Sequence, residues 1–308
     1  MIVVAGECLV DLIVDVDGGV VAAPGGGPYN TARGVARLGG ECAFLGHVSN
    51  DRFGRLLRRT LVADGVSEVA MVPTDAPTTL AVAEIDADGC ASYAFHVAGT
   101  AAPMLRGEDA AAALPAVVSA FHVGTLALAL EPIASTLESI VLGLDRTPLV
   151  MLDPNCRPSV IDDRERYVSR IRRVAARADV VKVSIEDLGF LAPGVAAIAA
   201  ARALVDRGTC VVLVTDGPRE VAIVTAGGVE MVAPPSVDVV DTVGAGDAFG
   251  AGFLAYWIGR RLLPGDLADA SLLREAVAYA CDVSAATCAR AGAVPPLWSE
   301  LPDRRRAS

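Results

Sequence analysis

The run from Asp241 to Phe253, Asp-Thr-Val-Gly-Ala-Gly-Asp-Ala-Phe-Gly-Ala-Gly-Phe, constrains this chain more than any other stretch. Small residues and two acids pass directly into an apolar segment, a pattern that predicts a helix starting among the glycines. Gly244, Ala245 and Gly246 carry little or no side chain, so an anion can approach the backbone N–H groups of the first turn. Those groups lack intrahelical partners and bear a partial positive charge of about half an electron, which makes the turn a seat for phosphate. Asp247 is then the unexpected residue, because a carboxylate beside an anion seat repels the anion. Accepting a proton from a substrate hydroxyl would give it a purpose there. The alternative is that Asp247 only favours the positive helix end and the glycines only allow close packing.

The uninterrupted match of Asp241–Phe249 to D-T-x-G-A-G-D-x-F resembles the C-terminal signature of the ribokinase-like (PfkB) carbohydrate kinases. The resemblance implies a three-layer α/β/α sandwich with a largely parallel sheet and a small β-sheet lid. It also implies that Asp247 is the catalytic base and that Gly244, Ala245 and Gly246 form the anion hole. A monovalent cation, K⁺, is implied near Asp241 and Val243.

Length and charge agree with such an enzyme. With 308 residues the chain suits one α/β domain carrying an insertion. Hydrophobic residues make up 53%, yet charges or glycine break every apolar run before the ~20 residues that a bilayer requires. The start Met1-Ile2-Val3-Val4-Ala5-Gly6-Glu7 carries no basic leader and reads as a first strand, so a soluble cytoplasmic protein without a membrane partner is expected. The formal charge of −11 argues against a nucleic-acid partner, and the short tail Arg304-Arg305-Arg306 does not reverse that. Lys182 is the sole lysine and follows Val181, so no Gly-Lys-Ser/Thr phosphate loop exists. The seven cysteines contain no C-x-x-C pair and read as reduced core or loop thiols. His47, His96 and His122 show no metal-ligand spacing.

Along the chain, residues 1–5 predict a strand that delivers Gly6, Glu7 and Asp11 to the ligand-binding end of a parallel sheet. Asp11 is either a solvated turn acid or an acceptor for sugar hydroxyls; the resemblance, through G-[ED]-x-x-x-D, implies the second. Gly25-Gly26-Gly27-Pro28-Tyr29-Asn30-Thr31-Ala32 opens an amphipathic helix and resembles the N-terminal family signature G-G-x-x-x-N-x-A. That match implies that Gly26, Gly27 and Asn30 line the sugar pocket, while Asn30 satisfying only the backbone is the competing reading. The turn Gly46–Gly54 is similar to G-x-V-G-x-D-x-x-G, with Ser49 at the second glycine.

From Val69 to Phe95 the pattern becomes strand-rich, and Thr78–Ile85 with Ala91–His96 flank Asp88-Gly89, a hairpin turn. Residues 69–100, with 12–22, are expected to form the lid. Phe95 and His96 are candidates to face the sugar, although a lone strand His is more often a rim residue.

The strand Leu149–Leu152 runs into Asp153-Pro154-Asn155-Cys156-Arg157-Pro158, which resembles fructokinase-like and ketodeoxygluconate-kinase-like members. Asn155 and Arg157 are thereby candidates for managing phosphate and Mg²⁺, with a structural turn arginine as the alternative. Val180–Asp187 reads as a strand entering a helix. Ser184 with Glu186 or Asp187 forms a plain helix cap, or, by resemblance to S-x-x-E, a nucleotide and Mg²⁺ site in which Asp187 replaces the longer acid. Thr215 and Gly217 resemble the T-x-G nucleotide loop. Residues 271–291 predict a long Ala-rich helix, and the resemblance implies that it helps build the adenine pocket and the K⁺ site.

The expected activity is transfer of the γ-phosphate of MgATP to a hydroxyl of a small sugar. D-P-N-x-R-P leans towards fructose or a related ketose, with 2-keto-3-deoxygluconate, ribose and nucleosides as alternatives. A ketodeoxygluconate kinase would want cations for the sugar carboxylate, whereas Val97 follows His96 in the lid strand. A Rossmann dehydrogenase is disfavoured because the glycines read G-x-G-x-x-x-G late in the chain. A sugar sensor on an inactive kinase is disfavoured by the intact Asp247. A homodimer through the lid is a further expectation.

Overall fold

A computed structural model describes residues 1–85 and 91–301. In chain order it contains β1 (Ile2–Ala5), β2 (Leu9–Val14), β3 (Val20–Gly25), α1 (Gly27–Arg37), β4 (Cys42–Ser49), α2 (Arg52–Ala63), β5 (Met71–Thr74), β6 (Leu80–Ile85), β7 (Ala91–His96) and α3 (Gly107–Ala113). There follow β8 (Ala120–Gly124), α4 (Ile133–Gly143), β9 (Leu149–Asp153), α5 (Arg164–Arg177), β10 (Val180–Ser184), α6 (Ile185–Leu191), α7 (Ala197–Val205) and β11 (Val211–Thr215). β12 (Val221–Thr225), β13 (Gly228–Val232), α8 (Ala245–Gly259) and α9 (Ala270–Cys288) complete the chain.

The main sheet has the order β13-β12-β11-β10-β9-β8-β1-β4-β5. Its strands from β11 to β5 are parallel, and β12 and β13 are antiparallel additions at one edge. Strands such as Ile2-Val3-Val4-Ala5 and Leu149-Val150-Met151-Leu152 are apolar at every position because helices cover both faces, so neither side chain of an alternating pair meets water. One face carries α1, α2, α8 and α9, with Phe44, Tyr29, Phe253 and Trp257 in its core. The other carries α3 to α7 around Phe121, Leu128, Ile171 and Val212. The α/β/α sandwich is therefore as expected.

On the first face the helices approach unusually closely. A Cβ on Gly34 would lie 2.6 Å from Ala251 Cβ, and one on Gly252 would lie 3.0 Å from the Ala280 Cα. These two glycines let α1 and α9 close on α8, which fixes the start of α8 relative to the start of α1.

A second, four-stranded sheet has the order β3-β2-β6-β7 and is mixed: β2 pairs antiparallel with β3 and parallel with β6, and β6 pairs antiparallel with β7. Leu9, Ala81 and Leu126, with Phe95 and Val160 against them, join it to the main body. The expected lid boundary at residue 69 is displaced, since Met71–Thr74 extends the main sheet beside β4. The hairpin turn at Asp88-Gly89 lies outside the described residues, as do Arg304–Arg306. His96 is exposed while Phe95 is half-buried against the body, because neighbouring strand residues point to opposite faces. His96 therefore does not share the inward direction of Phe95. Among the described residues no helix is long and apolar enough to cross a membrane, and no group of three His, Cys, Asp or Glu side chains could hold a metal.

Candidate active site

Four neighbouring parallel strands, β10, β9, β8 and β1, end on the same side of the sheet, and the first turns of α1 and α8 lie above those ends. That is the crevice in which open α/β sheets bind ligands. Gly244 caps α8 in the left-handed conformation, φ 77°, and a Cβ there would fall 2.6 Å from Ala293 Cβ. Asp247 is the third helical residue and is 8% exposed. Its Oδ2 accepts a hydrogen bond from Asn30 Nδ2 at 2.9 Å, which ties the two glycine-rich helix starts together across 217 residues of sequence.

The glycines of α1 have separate reasons. Gly26 has φ 109°, and a side chain on it would meet the Glu7 carbonyl oxygen at 2.8 Å. Gly25 lies so close to Asp11 that a Cβ would collide with Asp11 Oδ2 at 2.0 Å. A Cβ on Gly27 would be 2.5 Å from Thr125 Cγ2, 3.3 Å from Asp247 Oδ1 and 3.5 Å from Asn155 Nδ2. Gly27 thus marks the point where residues from β8, β9, α1 and α8 converge.

The site is a concentration of buried acids. Burial lifts Asp247 above the usual carboxylate range, against the Asn30 hydrogen bond and the positive charges of Lys182 and Arg157. Burial, with repulsion from Asp247, brings Asp11 to about 6. Glu7 is brought to about 7 by burial, although the Thr125 hydroxyl and the Ala127 N–H both donate to its carboxylate. Asp153 stands at about 6, raised by burial and opposed by Lys182, whose Nζ donates to Asp153 Oδ2 at 2.8 Å. Asp153 Oδ1, Asn30 Oδ1 and both ring nitrogens of His122 are buried without a protein partner.

The sequence-predicted residues fall as follows. Asp11, Gly26, Gly27, Asn30, Gly246 and Asp247 gather around the crevice, with Asn155 and Arg157 at its rim. Asn155 has φ 37°, and its Oδ1 and main-chain oxygen both accept from Arg157 Nη1, at 2.6 and 3.2 Å. The structural-turn reading of Arg157 is thereby realised, and its charge also lowers the pKa of Asp11 and Asp247. Within the expected anion hole, the Ala245 N–H turns back to the Thr242 carbonyl at 3.2 Å, and Gly244 is the cap itself. The amides of Gly246 and Asp247 are first-turn donors, a position that an α-helix leaves without intrahelical partners.

Asp187 is the third residue of a capping box with Ser184: its Oδ2 accepts from Ser184 N–H at 3.1 Å and its Oδ1 from Cys156 N–H at 2.7 Å. The helix-cap reading of Ser184 and Asp187 is thus realised, and each carboxylate oxygen keeps a second lone pair that a cation could share. Ser184 pairs with Thr215 across β10 and β11, which puts those two beside each other, and Gly217 follows in a left-handed turn, φ 53°. Asp241 accepts from Val243 N–H at 3.0 Å and Gly292 N–H at 2.8 Å, so it fastens the loop before α8 to the segment after α9.

Sequence reasoning brought Glu7 and Asp153 to the ligand-binding strand ends without a role for either, and left Thr125 and Lys182 outside the site. Glu7 and Asp153 were legible as acids ending apolar strands. Thr125, held at φ 53° and hydrogen-bonded to Glu7, gave no signal at all.

Comparison with known proteins shows the family and the fold. Residues 1–300 match the family described as pfkB family carbohydrate kinase. A fructokinase of Rhizobium leguminosarum bv. trifolii is 35% identical over 262 residues, covering 83% of this chain and 79% of that protein. The structure of a fructokinase from Xylella fastidiosa with bound ATP superposes with a TM-score of 0.89 at 29% identity, over 97% of this chain and 96% of the other. A Vibrio cholerae O395 fructokinase, with fructose, ADP and calcium ion bound, gives 0.84 at 29% identity over 95% and 94%.

Proposed function

The chain belongs to the pfkB family of carbohydrate kinases and is an ATP-dependent sugar kinase, and from that premise we propose that it phosphorylates fructose or a closely related ketose. The observation that carries the chemistry is the Asn30–Asp247 contact, which points a buried carboxylate into the gap beside Gly27.

In this reading the acceptor hydroxyl lies against Asp247, with Asp11 and Asn30 orienting the sugar so that the attacking oxygen is in line. The hydroxyl oxygen bonds to the γ-phosphorus, its proton passes to Asp247, and the bond from that phosphorus to the bridging oxygen of ADP breaks. Proton acceptance of this kind contributes on the order of 10²–10⁴-fold. The Gly246 and Asp247 amides donate to the transferring phosphoryl oxygens, and Arg157 adds a positive charge at the rim. ATP brings its divalent cation, Mg²⁺, as part of the substrate. Ser184 and Thr215, paired at the ends of β10 and β11, would hold the nucleotide together with Gly217, and K⁺ near Asp241 and Val243 would stiffen the loop before α8. The second sheet, closing over the sugar, would exclude water as a competing acceptor.

The test is ADP release from MgATP against fructose, tagatose, ribose, 2-keto-3-deoxygluconate and adenosine, with Asp247→Asn beside the parent protein. Fructose is expected to give the highest kcat/KM, and Asp247→Asn to lose 10²–10⁴-fold in kcat while still binding sugar. A nucleoside or ribose as the best acceptor would refute the ketose assignment. An active Asp247→Asn protein would remove the base.

A further inference from the structure

One buried cation in the crevice has no part in the reaction as described above. Lys182, the sole lysine of the chain, interrupts the apolar strand β10 and is 4% exposed. Its Nζ is anchored by Asp153 at 2.8 Å, and a Cβ on Gly246 would fall 2.7 Å from that same nitrogen. The ammonium therefore lies directly beneath the first turn of α8, one residue from Asp247. Gly246 lies in regular helix, so what keeps a side chain off this position is the lysine itself.

Fastening β9 to β10 does not require an ion pair. Their neighbouring positions are apolar throughout, and replacing a buried pair by apolar side chains is often neutral or stabilising. The surroundings of Asp247 supply a better reason. Glu7 after β1, Asp11 on β2 and Asp153 on β9 all add negative charge around it, and Asp187 on α6 adds to the same field at Lys182. Asn30 on α1 offers only a neutral donor. His122 on β8 is held uncharged, down at about 3, by burial and by Lys182. Arg157 is exposed. Lys182 is the buried positive charge that faces Asp247.

We propose that Lys182 is a positioning residue for phosphoryl transfer: anchored by Asp153 and lodged under Gly246, its ammonium fixes the first turn of α8 and keeps the Asp247 carboxylate ionised to accept the hydroxyl proton. This rests on Asp247 being the base.

The experiment compares Lys182→Met, Asp153→Asn and the neutral pair Lys182→Met/Asp153→Asn with the parent protein. The double variant leaves no buried charge unpaired, so it stays folded where Lys182→Met does not. Urea unfolding, calorimetric binding of MgATP, and kcat/KM from pH 5 to 9 are measured. The expected result is MgATP affinity within about threefold, with the acidic limb of kcat/KM about one pH unit higher in the double variant than in Asp153→Asn. At a pH on that limb this is roughly a tenfold loss relative to Asp153→Asn. A limb that coincides in these two variants would overturn the proposal and leave Lys182 as a strand fastener. Asp247→Asn separates the two ideas. If it is inactive while the limb of the double variant stays at that of Asp153→Asn, the lysine assignment alone fails; if it is active, the base assignment fails and takes this one with it.

Discussion

Gly27→Ala is the sharpest perturbation the structure offers, because one methyl group tests the convergence of four elements. Gly27 opens α1 with an ordinary helical backbone, so conformation does not forbid alanine there. The obstacle is space: the new Cβ lies 2.5 Å from Thr125 Cγ2, well inside van der Waals contact. Thr125 cannot easily retreat, since its backbone sits at φ 53° and its hydroxyl is held by Glu7. Overpacking of this kind costs about 1–3 kcal/mol, and the gain in helix propensity returns at most about 1 kcal/mol. We expect a net destabilisation of roughly 1–2 kcal/mol. The kinetic effect is larger. The methyl stands 3.3 Å from Asp247 Oδ1 and 3.5 Å from Asn155 Nδ2, in the gap the acceptor hydroxyl must enter. A misplacement of about 1 Å there costs around 10²-fold in turnover. The assay is urea unfolding together with kcat and KM for sugar and for ATP measured separately. We expect kcat/KM for the sugar to fall about 10²-fold with KM for ATP unchanged within about threefold. Parental sugar kinetics in a folded Gly27→Ala protein would refute the placement of the sugar beside Gly27, and an equal loss for ATP would mean that the gap belongs to the nucleotide.

Three further outcomes are expected. Glu7 is raised from 4.5 to about 7 in the folded protein, so the stability it contributes is full below pH 4.5 and is lost as pH rises through 7. The span corresponds to roughly 3 kcal/mol, and between pH 5 and 7, where Asp11 and Asp153 titrate as well, the fall in unfolding free energy should be shallower in Glu7→Gln by one proton's share; an unchanged slope would refute the assignment. Asp187→Ala strands the Cys156 N–H and unmakes the cap of α6, at about 1–3 kcal/mol in denaturant unfolding, with Mg²⁺ dependence of kcat retained; a raised Mg²⁺ requirement at parental stability would restore Asp187 as a cation ligand. Gly244→Ala combines left-handed backbone strain with a 2.6 Å approach to Ala293 Cβ, so a loss of at least about 2 kcal/mol and of most turnover is expected from thermal unfolding and steady-state rates.

The layer architecture and the chemistry class were legible before the structure, through the resemblance that Asp241–Phe249 and Gly25–Ala32 carry. Uniformly apolar strands such as Leu149–Leu152, each followed by polar residues and a helix, require a sheet covered on both faces, and that pattern is local. The two glycine-rich helix starts were equally legible, since backbone approach to a ligand is written in consecutive residues. Even the cap formed by Ser184 and Asp187 was among the readings. Which of these residues meet was decided only by the tertiary structure. Asn30 reaches Asp247 because α1 and α8 pack on the same face at glycine crossings, and nothing in either segment names the other. Lys182 read as a reason to exclude one nucleotide fold, and the order β10-β9-β8-β1 turned it into the cation beneath the start of α8. Asp187 read as a cap or a cation site, and its contact with the Cys156 amide exists only because the turn after β9 lies against α6. The division has a physical cause. Element type follows from local periodicity, whereas side-chain contacts between distant segments depend on strand order, crossing distance and burial, which no short window of residues encodes.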